Sequence, residues 1–298
     1  MIFLRRLQHK NNELWIGKKV GLGGYLMWTP LAREVNKMTG GAKVLPVETN
    51  GNFIKIIHSP IFENNPHMCQ DFEEKSYLLP ISFNNPSTNY CKSDTPEKAI
   101  QRHDKHIIHQ ICEHYGINNA ELKCEIFLSE AEITNAANLL KDVDGDFITI
   151  DPHTKDEYTV NKRYPFQKWQ NVVDKVRNNS EIKIIQIGNK TDQVLEGVID
   201  FTGITTFRQA AAIISHAVLH VGPEGGLMHA ANAVGTKSVI LITGFLHPRM
   251  TCYKENSNIW IGKNHGPCGM KIECPKCKKE AEDHNELEIF EEIMRMLK

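Results

Sequence analysis

A glutamate and a histidine stand five residues apart in a glycine-rich stretch, VGPEGGLMHAANAVGTKSVILITG, over 221–244. The pattern predicts a strand, a tight turn and a helix, with Glu224 in the turn and His229 one turn into the helix. Glycines, which permit the turn and a close approach to a ligand, stand at Gly222, Gly225 and Gly226. A helix N-terminus in such a crevice binds phosphate, so Glu224 could accept from ribose or sugar hydroxyls while His229 faces the same space. Alternatively, Glu224 caps the helix and His229 packs against the next strand.

Cationic residues follow another predicted strand, in the loop DPHTKDEYTVNKRYPFQKW. They are Lys155, Lys162 and Arg163, together with His153. Cations at the carboxyl end of a strand could neutralise a diphosphate leaving group, because group transfer depends on stabilising the charge that develops as the bond breaks. The alternative is an ordinary solvated loop.

A second glycine-rich segment, VGLGGYLMWTP, contains Gly21, Gly23 and Gly24. It is a candidate phosphate cradle, but it lacks the later glycine of a dinucleotide fingerprint and the lysine of a P-loop. A tight turn between a strand and a helix explains the same residues.

Four of the eight cysteines crowd the C-terminal part of the chain, at Cys252, Cys268, Cys274 and Cys277. The C-x-x-C pair of Cys274 and Cys277 has the spacing of half a zinc knuckle, and Cys268 with either Cys252 or His265 would complete four ligands. Such a tetrahedral site would be structural and closed. Free thiols are the alternative.

A predicted helix with the sequence HDKHIIHQICEHYG carries four histidines, His103, His106, His109 and His114. Three-residue spacing puts the first three on neighbouring positions of the helix. Since no H-E-x-x-H pattern is present, a polar helix surface explains them better than a metal site.

The charge balance gives no bulk electrostatic argument for nucleic acid or an anionic membrane, because 35 Lys and Arg stand against 36 Asp and Glu. Any anionic ligand must be held locally. The hydrophobic content of 41% over 298 residues supports real cores. No apolar run is long enough to span a membrane, and the first apolar stretch is too short for a signal peptide. We therefore expect a cytoplasmic protein with no nucleic-acid partner.

The N-terminal part has the pattern of an opening α/β unit. The predicted elements are a strand through Ile16, the glycine loop over 21–24, a helix ending at Gly40 and Gly41, and strands in AKVLPVE and NFIKIIHSP. An irregular, exposed segment is predicted over 64–96. A helix then runs from about Pro96 to Tyr115, where Gly116 stops it.

After DVDGD, strands alternate with helices of ten or more residues, which is typical of a parallel, doubly wound sheet. The predicted strands lie in FITIDP, IKIIQIG, VIDFTG, VLHVG and SVILITG, and the helices in PFQKWQNVVDKVRNN, TTFRQAAAIISHA and GLMHAANAVG. We therefore predict an α/β fold with an N-terminal domain over 1–143 and a C-terminal domain over 144–298.

Taken together, these segments resemble the bacterial heptosyltransferase family of GT-B glycosyltransferases, which includes the ADP-heptose:lipopolysaccharide heptosyltransferases. LWIGKKVGLGGYLMWTPLAREV is similar to the family's opening strand, glycine loop and T-P-L helix, IFENNPHM to its early Asn-Pro segment, and NKRYPFQKW to its K-R-W-P-x-x-x-W segment. VIDFTGITTFRQAAAIISHAVLHVGPEGGLMHAANAVGTKSVILITG is similar to its long C-terminal signature. The resemblance implies two Rossmann-like, doubly wound domains that face a cleft. The N-terminal domain would hold the acceptor and the C-terminal domain the nucleotide-sugar.

Position by position, the resemblance implies that Lys162 contacts phosphate. It also implies a donor-binding loop and helix made of Gly222, Glu224, Gly225, Gly226 and His229, and an acceptor-side loop made of Gly21, Gly23 and Gly24. The family's proposed general base is an aspartate, and Gly24 stands at that position here. A glycine cannot take a proton, so the general base stays unassigned. Glu224 and Gly225 stand where Asp-Ser or Asp-Thr is usual.

The implied function is inverting transfer of a heptose or related sugar from a nucleotide-diphosphate sugar to a hydroxyl of a bacterial surface glycan or lipopolysaccharide core. Lys162 and Glu224 are the predicted catalytic residues, and an ADP-sugar is the expected donor. Transfer would need no cofactor, while the cysteine cluster would hold structural zinc or iron. We expect the enzyme to work at the cytoplasmic face of the inner membrane.

Two alternatives stay open beside this function. Gly24 is compatible with a catalytically degenerate protein that binds nucleotide-sugar or glycan without turnover. The cysteines are compatible with a protein-modifying heptosyltransferase that carries a structural metal, because C-terminal cysteines recur in iron-binding relatives that modify autotransporter proteins.

Overall fold

The computed structural model describes residues 21–50, 53–71, 73, 76–81, 92–93, 99–100, 105–191 and 193–298. The strand predicted through Ile16 and the histidine His103 lie outside these residues. Within them, helices and strands alternate in an α/β fold, as the sequence predicts. No helix of the described residues is both long and apolar enough to cross a bilayer.

The N-terminal half is built from short helices around a small mixed sheet. Its helices are α1 Leu22–Leu26, α2 Thr29–Thr39 and α3 Ile107–His114, and its strands are β1 Val44–Asn50, β2 Phe53–Ile56, β3 Tyr77–Pro80, β4 Lys92–Ser93 and β5 Ala99–Ile100. The sheet order is β2-β1-β3, with β1 antiparallel to β2 and parallel to β3, while β4 and β5 pair with each other.

Three sequence predictions for this half differ from the structure. The segment over 21–24 is not an open loop, since Gly23 and Gly24 lie inside α1. The helix predicted from Pro96 begins only at Ile107, after the strand pair β4 and β5. Part of the predicted irregular segment pairs as β3, because its apolar side chains pack into the core beside β1. The predicted end of α2 is confirmed, since Gly40 caps it at φ +69°.

Helix α4 Glu130–Leu139 connects the two halves. Its N-terminus is fixed by a capping box, in which the Ser129 hydroxyl accepts from Glu132 N while the Glu132 carboxylate accepts from Ser129 N. The helix packs against a helix of the C-terminal half, α6 Phe207–His216. The predicted domain boundary at 143 follows α4 and stays a prediction.

The C-terminal half is a six-stranded parallel sheet. The strands are β6 Phe147–Ile150, β7 Lys183–Gln186, β8 Ile199–Asp200, β9 Leu219–Pro223, β10 Ser238–Ile242 and β11 Ser257–Trp260. The remaining helices are α5 Phe166–Asn179, α7 Gly226–Val234, α8 Pro275–Asp283 and α9 Leu287–Met296. The sheet order is β11-β10-β9-β6-β7-β8. The chain therefore builds outward from β6 to β8, then returns to place β9 on the other side of β6.

Helices cover both faces of this sheet, because alternate residues of a strand point in opposite directions. Val239 and Leu241 of β10 belong to the same buried cluster as Trp169 of α5, whereas Ile240 and Ile242 belong to the cluster of α6 and α7. The strands are apolar on both faces for this reason, which is why the sequence shows continuous apolar runs there.

The core on the α6 and α7 side continues into the N-terminal half, so the two halves share one buried cluster. Helix α1 lies against the start of α7: a Cβ built on Gly23 would sit 2.7 Å from Gly226 Cα and 3.3 Å from the His229 ring. Only glycine allows this approach, and it brings the glycine-rich segments of both halves together.

Candidate functional site

The topology of the parallel sheet creates a crevice between the carboxyl ends of β6 and β9. Neighbouring strands whose connections leave in opposite directions open such a crevice, and ligands of open α/β sheets bind there. Glu224 directly follows β9, and Lys162 ends a short 3-10 turn, Val160–Lys162, in the loop after β6. Two residues that are far apart in sequence thus reach the same crevice.

Lys162 and Glu224 form an ion pair, in which Lys162 Nζ donates to Glu224 Oε2. Together with Leu241, Ile242, Thr243 and Leu246 they line a small cavity. Lys162 Nζ also lies 5.5 Å from the centre of the Tyr158 ring and 5.6 Å from that of Phe245, so aromatic faces hold the ammonium in place. Lys155 and Arg163 are exposed, and Arg163 is paired to Asp156, whereas His153 is half-buried and stacks on the Phe166 ring.

Burial and charge act in opposite directions on Glu224, whose residue is only 7% exposed. Burial is the largest single influence and raises the pKa of its carboxyl, but the charge of Lys162, the hydrogen bond from Lys162 and contributions of other neighbours together outweigh it, and the pKa ends below its ordinary value. Glu224 is therefore an anion at neutral pH, and the pair presents one ammonium and one carboxylate to the crevice.

His229 is held in a buried chain of hydrogen bonds. Its Nδ1 lies 2.6 Å from Tyr253 Oη, which in turn lies 3.1 Å from Cys124 Sγ, and its Nε2 lies 4.0 Å from Glu224 Oε1. Burial lowers the pKa of His229 to about 4, so the ring is neutral at pH 7. An Nε2–H facing the Glu224 carboxylate leaves Nδ1 to accept from the Tyr253 hydroxyl. His229 is therefore neither a side chain that only packs against the next strand nor one that stands free in the crevice.

The glycines of this region allow neighbouring backbone segments to pack closely. A Cβ on Gly222 would lie 2.8 Å from the Asp151 carbonyl oxygen, so glycine lets β9 approach the end of β6. Gly225 is the N-cap of α7, and Gly226 opens the helix against Gly23. The first N–H groups of α7 have no partner within the helix, and their binding of an anion stays a prediction. The acceptor-side role of Gly21, Gly23 and Gly24 stays a prediction.

The sequence analysis missed two residues of this site. Asp151 follows β6, accepts from His153 N at 3.1 Å, and has its pKa raised to about 7 by burial. A carboxylate directly after an apolar strand was the available signal. Tyr253 gave no comparable signal, because only the folded chain brings it to His229.

The cysteine-rich segment forms a compact group of metal-type donors. The ligand atoms of His265, Cys274 and Cys277 lie within 4.8 Å of one another, and Cys268 Sγ lies 3.3 Å from Cys277 Sγ. Two thiolates on a tetrahedral zinc ion are about 3.8 Å apart, given a Zn–S distance of about 2.3 Å. His265, Cys274 and Cys277 therefore form the centre of a candidate metal site, with Cys268 beside Cys277 as the fourth donor.

The surroundings of His265 support this fit. Its Nδ1 lies 2.9 Å from Glu280 Oε1, which leaves Nε2 facing Cys277 Sγ at 3.4 Å. A carboxylate behind a histidine is the usual support of a metal-ligating imidazole. The Cys277 thiol donates to Cys268 Sγ, which lowers the pKa of Cys268 below its ordinary value.

Cys252, the fourth cysteine predicted as a ligand, does not join this group. Burial raises the pKa of its thiol, and the charged groups that act on it are Glu224 and Lys162. The side chain packs against the core shared by the two halves, and His265 replaces it in the candidate ligand set, which is the alternative that the sequence left open.

The histidines of α3 do not converge on a common point. His106 is buried and caps the helix by accepting from Ile108 N at 3.2 Å, while His109 Nε2 lies 2.9 Å from Ala120 O. Burial lowers the pKa of His106 to about 3. The expectation of a polar surface is thus wrong for His106, which is part of the core.

Comparison with known proteins gives a family match and several structural matches. The model of glycosyltransferase family 9 (heptosyltransferase) matches residues 84–280, about two thirds of the chain. Among curated protein sequences, none matches significantly.

Three solved proteins illustrate the structural similarity. A family 9 glycosyl transferase from Veillonella parvula is 15% identical, with a TM-score of 0.66 over 93% of this chain and 94% of the other. ADP-heptose lipopolysaccharide heptosyltransferase II of E. coli is 14% identical, with a TM-score of 0.63 over 93% and 96%. The iron-containing dodecameric glycosyltransferase TibC of enterotoxigenic E. coli is 14% identical, with a TM-score of 0.68 over 94% and 74%. The predicted GT-B fold is thereby confirmed.

Proposed function

Because the chain belongs to glycosyltransferase family 9 (heptosyltransferase) and is a glycosyltransferase, we propose that it binds a nucleotide-diphosphate sugar in the crevice between β6 and β9. The observation that carries this proposal is the Lys162–Glu224 ion pair, set beside the N-terminus of α7 at the carboxyl ends of the two strands. The donor is an ADP-sugar, with ADP-heptose favoured because TibC has been solved in complex with ADP-D-beta-D-heptose.

When the donor binds, the Lys162 ammonium exchanges the Glu224 carboxylate for the diphosphate as its partner. The diphosphate carries more negative charge than one carboxylate, so the ammonium turns to the phosphate oxygens while the first N–H groups of α7 donate to them. Glu224, released from Lys162, accepts from the ribose hydroxyls. The neutral Nε2–H of His229, 4.0 Å from Glu224 Oε1, then closes on this carboxylate and donates to it.

The chemical step is an in-line displacement at the anomeric carbon. The acceptor oxygen forms the new bond as the bond to the diphosphate oxygen breaks, which inverts the configuration, and the acceptor hydroxyl proton leaves to a base or solvent. Lys162 and α7 stabilise the charge that grows on the departing diphosphate. Lys162 therefore acts most strongly in the transition state, whereas Glu224 contributes to donor binding.

The acceptor that fits this proposal is a hydroxyl of a bacterial surface glycan or lipopolysaccharide core, reached at the cytoplasmic face of the inner membrane. A protein side chain is the second candidate, favoured by the group of Cys268, Cys274, Cys277 and His265 and by the similarity to the iron-containing TibC. Zinc or iron held by these four residues would stabilise the fold without contacting the reacting atoms.

The test is nucleotide binding by calorimetry with ADP and other nucleoside diphosphates. Lys162→Ala should weaken ADP binding by about tenfold or more, because it removes a charge-assisted contact to phosphate. Lys155→Ala is the matched control, since Lys155 is an exposed lysine of the same loop, and it should change the Kd by less than about twofold. Equal binding by wild type and Lys162→Ala would refute the site, and wild-type protein that binds no nucleotide would refute the donor class.

A further inference from the structure

The cysteine-rich segment packs directly on the wall of the crevice. Thr243 lines the cavity with Lys162 and Glu224, and Gly244 follows it beneath the metal-type donors. A Cβ on Gly244 would lie 2.9 Å from the His265 ring and 3.1 Å from Cys277 Sγ. Cys268 N donates to Gly244 O at 2.7 Å. The group of donors and the crevice thus share one stretch of backbone.

Asn161, the residue before Lys162, joins the crevice to the same segment. Its Nδ2 donates to Met270 O at 2.6 Å and Ile272 O at 2.7 Å, and its Oδ1 accepts from Cys274 N at 2.7 Å. Its own carbonyl accepts from the Thr243 hydroxyl at 2.7 Å. Asn161 is 5% exposed, so these bonds are shielded from water. We call Asn161 and its three partners in the cysteine-rich segment the asparagine clamp.

The segment that supplies these partners has little regular structure of its own. Neither a helix nor a strand is assigned between Trp260, the end of β11, and Pro275, the start of α8. Two carbonyls and one N–H in such a segment keep fixed positions only if the segment itself is fixed. A cation bound by His265, Cys268, Cys274 and Cys277 would tie three points of this segment to Cys277 of α8 and remove most of the segment's freedom.

We propose that a thiophilic cation on His265, Cys268, Cys274 and Cys277 sets the affinity of the crevice for the donor diphosphate, through the asparagine clamp and Lys162. This rests on the proposed donor function. The occupied cluster holds the carbonyls of Met270 and Ile272 where Asn161 reaches them, and Asn161 in turn orients the next residue, Lys162. Asn161 is a positioning residue, since it touches neither the donor nor the cation.

The proposal implies a reciprocal effect, because a coupling between two binding sites acts equally in both directions. If the cation tightens ADP binding by a given factor, ADP must tighten cation binding by the same factor. This second effect can be measured without any transfer reaction and without an acceptor.

The experiment compares the wild-type protein stripped with a chelator against the same protein reloaded with Zn²⁺ or Fe²⁺. We expect the stripped protein to bind ADP about tenfold more weakly, which corresponds to about 1.4 kcal/mol. Saturating ADP should lower the Kd of the reloaded metal by the same factor, measured by competition with a chromogenic chelator. Far-ultraviolet circular dichroism checks that the stripped protein stays folded.

Asn161→Ala tests the path of the coupling. The variant should keep its bound metal but bind ADP weakly, whether loaded or stripped. Asn171→Ala is the matched control, because Asn171 also makes a side-chain bond, to Glu286 at 2.7 Å, but lies on α5. It should couple metal and ADP as the wild type does. If Asn161→Ala fails to fold, the two wild-type measurements still decide whether the metal and ADP are coupled.

Each of the other outcomes would refute a different part of the proposal. Equal ADP affinity for loaded and stripped wild type would overturn the coupling, and so would a wild type that takes up neither Zn²⁺ nor Fe²⁺. Strong coupling in Asn161→Ala would overturn the clamp as its path. Wild-type protein that binds no ADP, loaded or stripped, would instead refute the donor function on which the proposal rests.

Discussion

Asp151 is a carboxyl of the crevice whose ionisation the fold opposes. Its carboxyl follows β6, lies where a Cβ built on Gly188 would come within 3.0 Å of Oδ1, and has its pKa raised to about 7 by burial. An unfolded aspartate has a pKa of about 3.9. Between these values the folded chain holds a proton that the unfolded chain releases. The stability of the wild type must therefore fall as pH rises from about 4 to about 7, and the loss is complete above 7.

Asp151→Asn should remove this pH dependence. The amide oxygen can still accept from His153 N, and it carries no charge to bury. At pH 8.5 we expect the variant to be more stable than wild type by about 1–3 kcal/mol, and at pH 5.5 by distinctly less. Urea unfolding at both pH values measures the difference. Asp144→Asn, at an exposed position, is the control. A stability gain that is the same at both pH values would contradict the assigned ionisation.

At the scale of elements, the packing of α1 on α7 links the two glycine-rich segments. Gly23→Ala places a methyl group 2.7 Å from Gly226 Cα, where backbone must move. We expect a loss of about 1–3 kcal/mol, which exceeds the gain in helix propensity, and weaker ADP binding because α7 shifts. Thermal unfolding and calorimetry measure both.

Gly21→Ala is the control for that change, because a Cβ there meets nothing within 4 Å and φ is −67°. It should alter stability by about 0.5 kcal/mol or less. If Gly23→Ala behaved like Gly21→Ala, the close contact between α1 and α7 would not exist in solution.

The sequence predicted the helices and strands that are marked by a pattern of residues close together in the chain. The alternation after DVDGD gave the strands and helices from β6 to β10, because buried parallel strands and amphipathic helices differ in length and period. It also indicated Lys162 and Glu224 at strand ends. The same reasoning mistook α1 for a loop, since glycines that serve close packing look the same as glycines that serve a turn.

The remaining features depend on contacts between distant parts of the chain. Asn161 meets partners more than 100 residues away, and Tyr253 meets His229 and Cys124 only in the folded protein. The choice of His265 over Cys252 was likewise open until the segment's path was known. Spacing alone limits which ligands can meet, but the fold selects among them.

At the scale of the whole molecule, the two halves are joined by more than apolar packing. Arg208 of α6 extends from the C-terminal half, with its side chain 5% exposed, and its Nη2 donates to Glu132 Oε2 at 2.7 Å. Its guanidinium also donates to Pro60 O at 2.9 Å and Phe127 O at 2.7 Å. One side chain therefore connects α6, α4 and two loops of the N-terminal half. Such a link fixes the two halves relative to each other.

Arg208→Met should destabilise the protein by about 3–5 kcal/mol, since it leaves Glu132 and two carbonyls without their buried partner.

The hydrogen bond from Arg208 lowers the pKa of Glu132 to about 2. A carboxyl whose pKa is lowered on folding stabilises above its unfolded pKa, and this stability is lost as pH falls from about 4.5 towards 2. Urea unfolding of wild type should show that loss between pH 5 and pH 3, and Arg208→Met should show much less of it. Arg295→Met, which removes an exposed arginine paired to Glu292, should keep the wild-type pH dependence. An unchanged pH dependence in Arg208→Met would mean that the link between the halves does not form in solution.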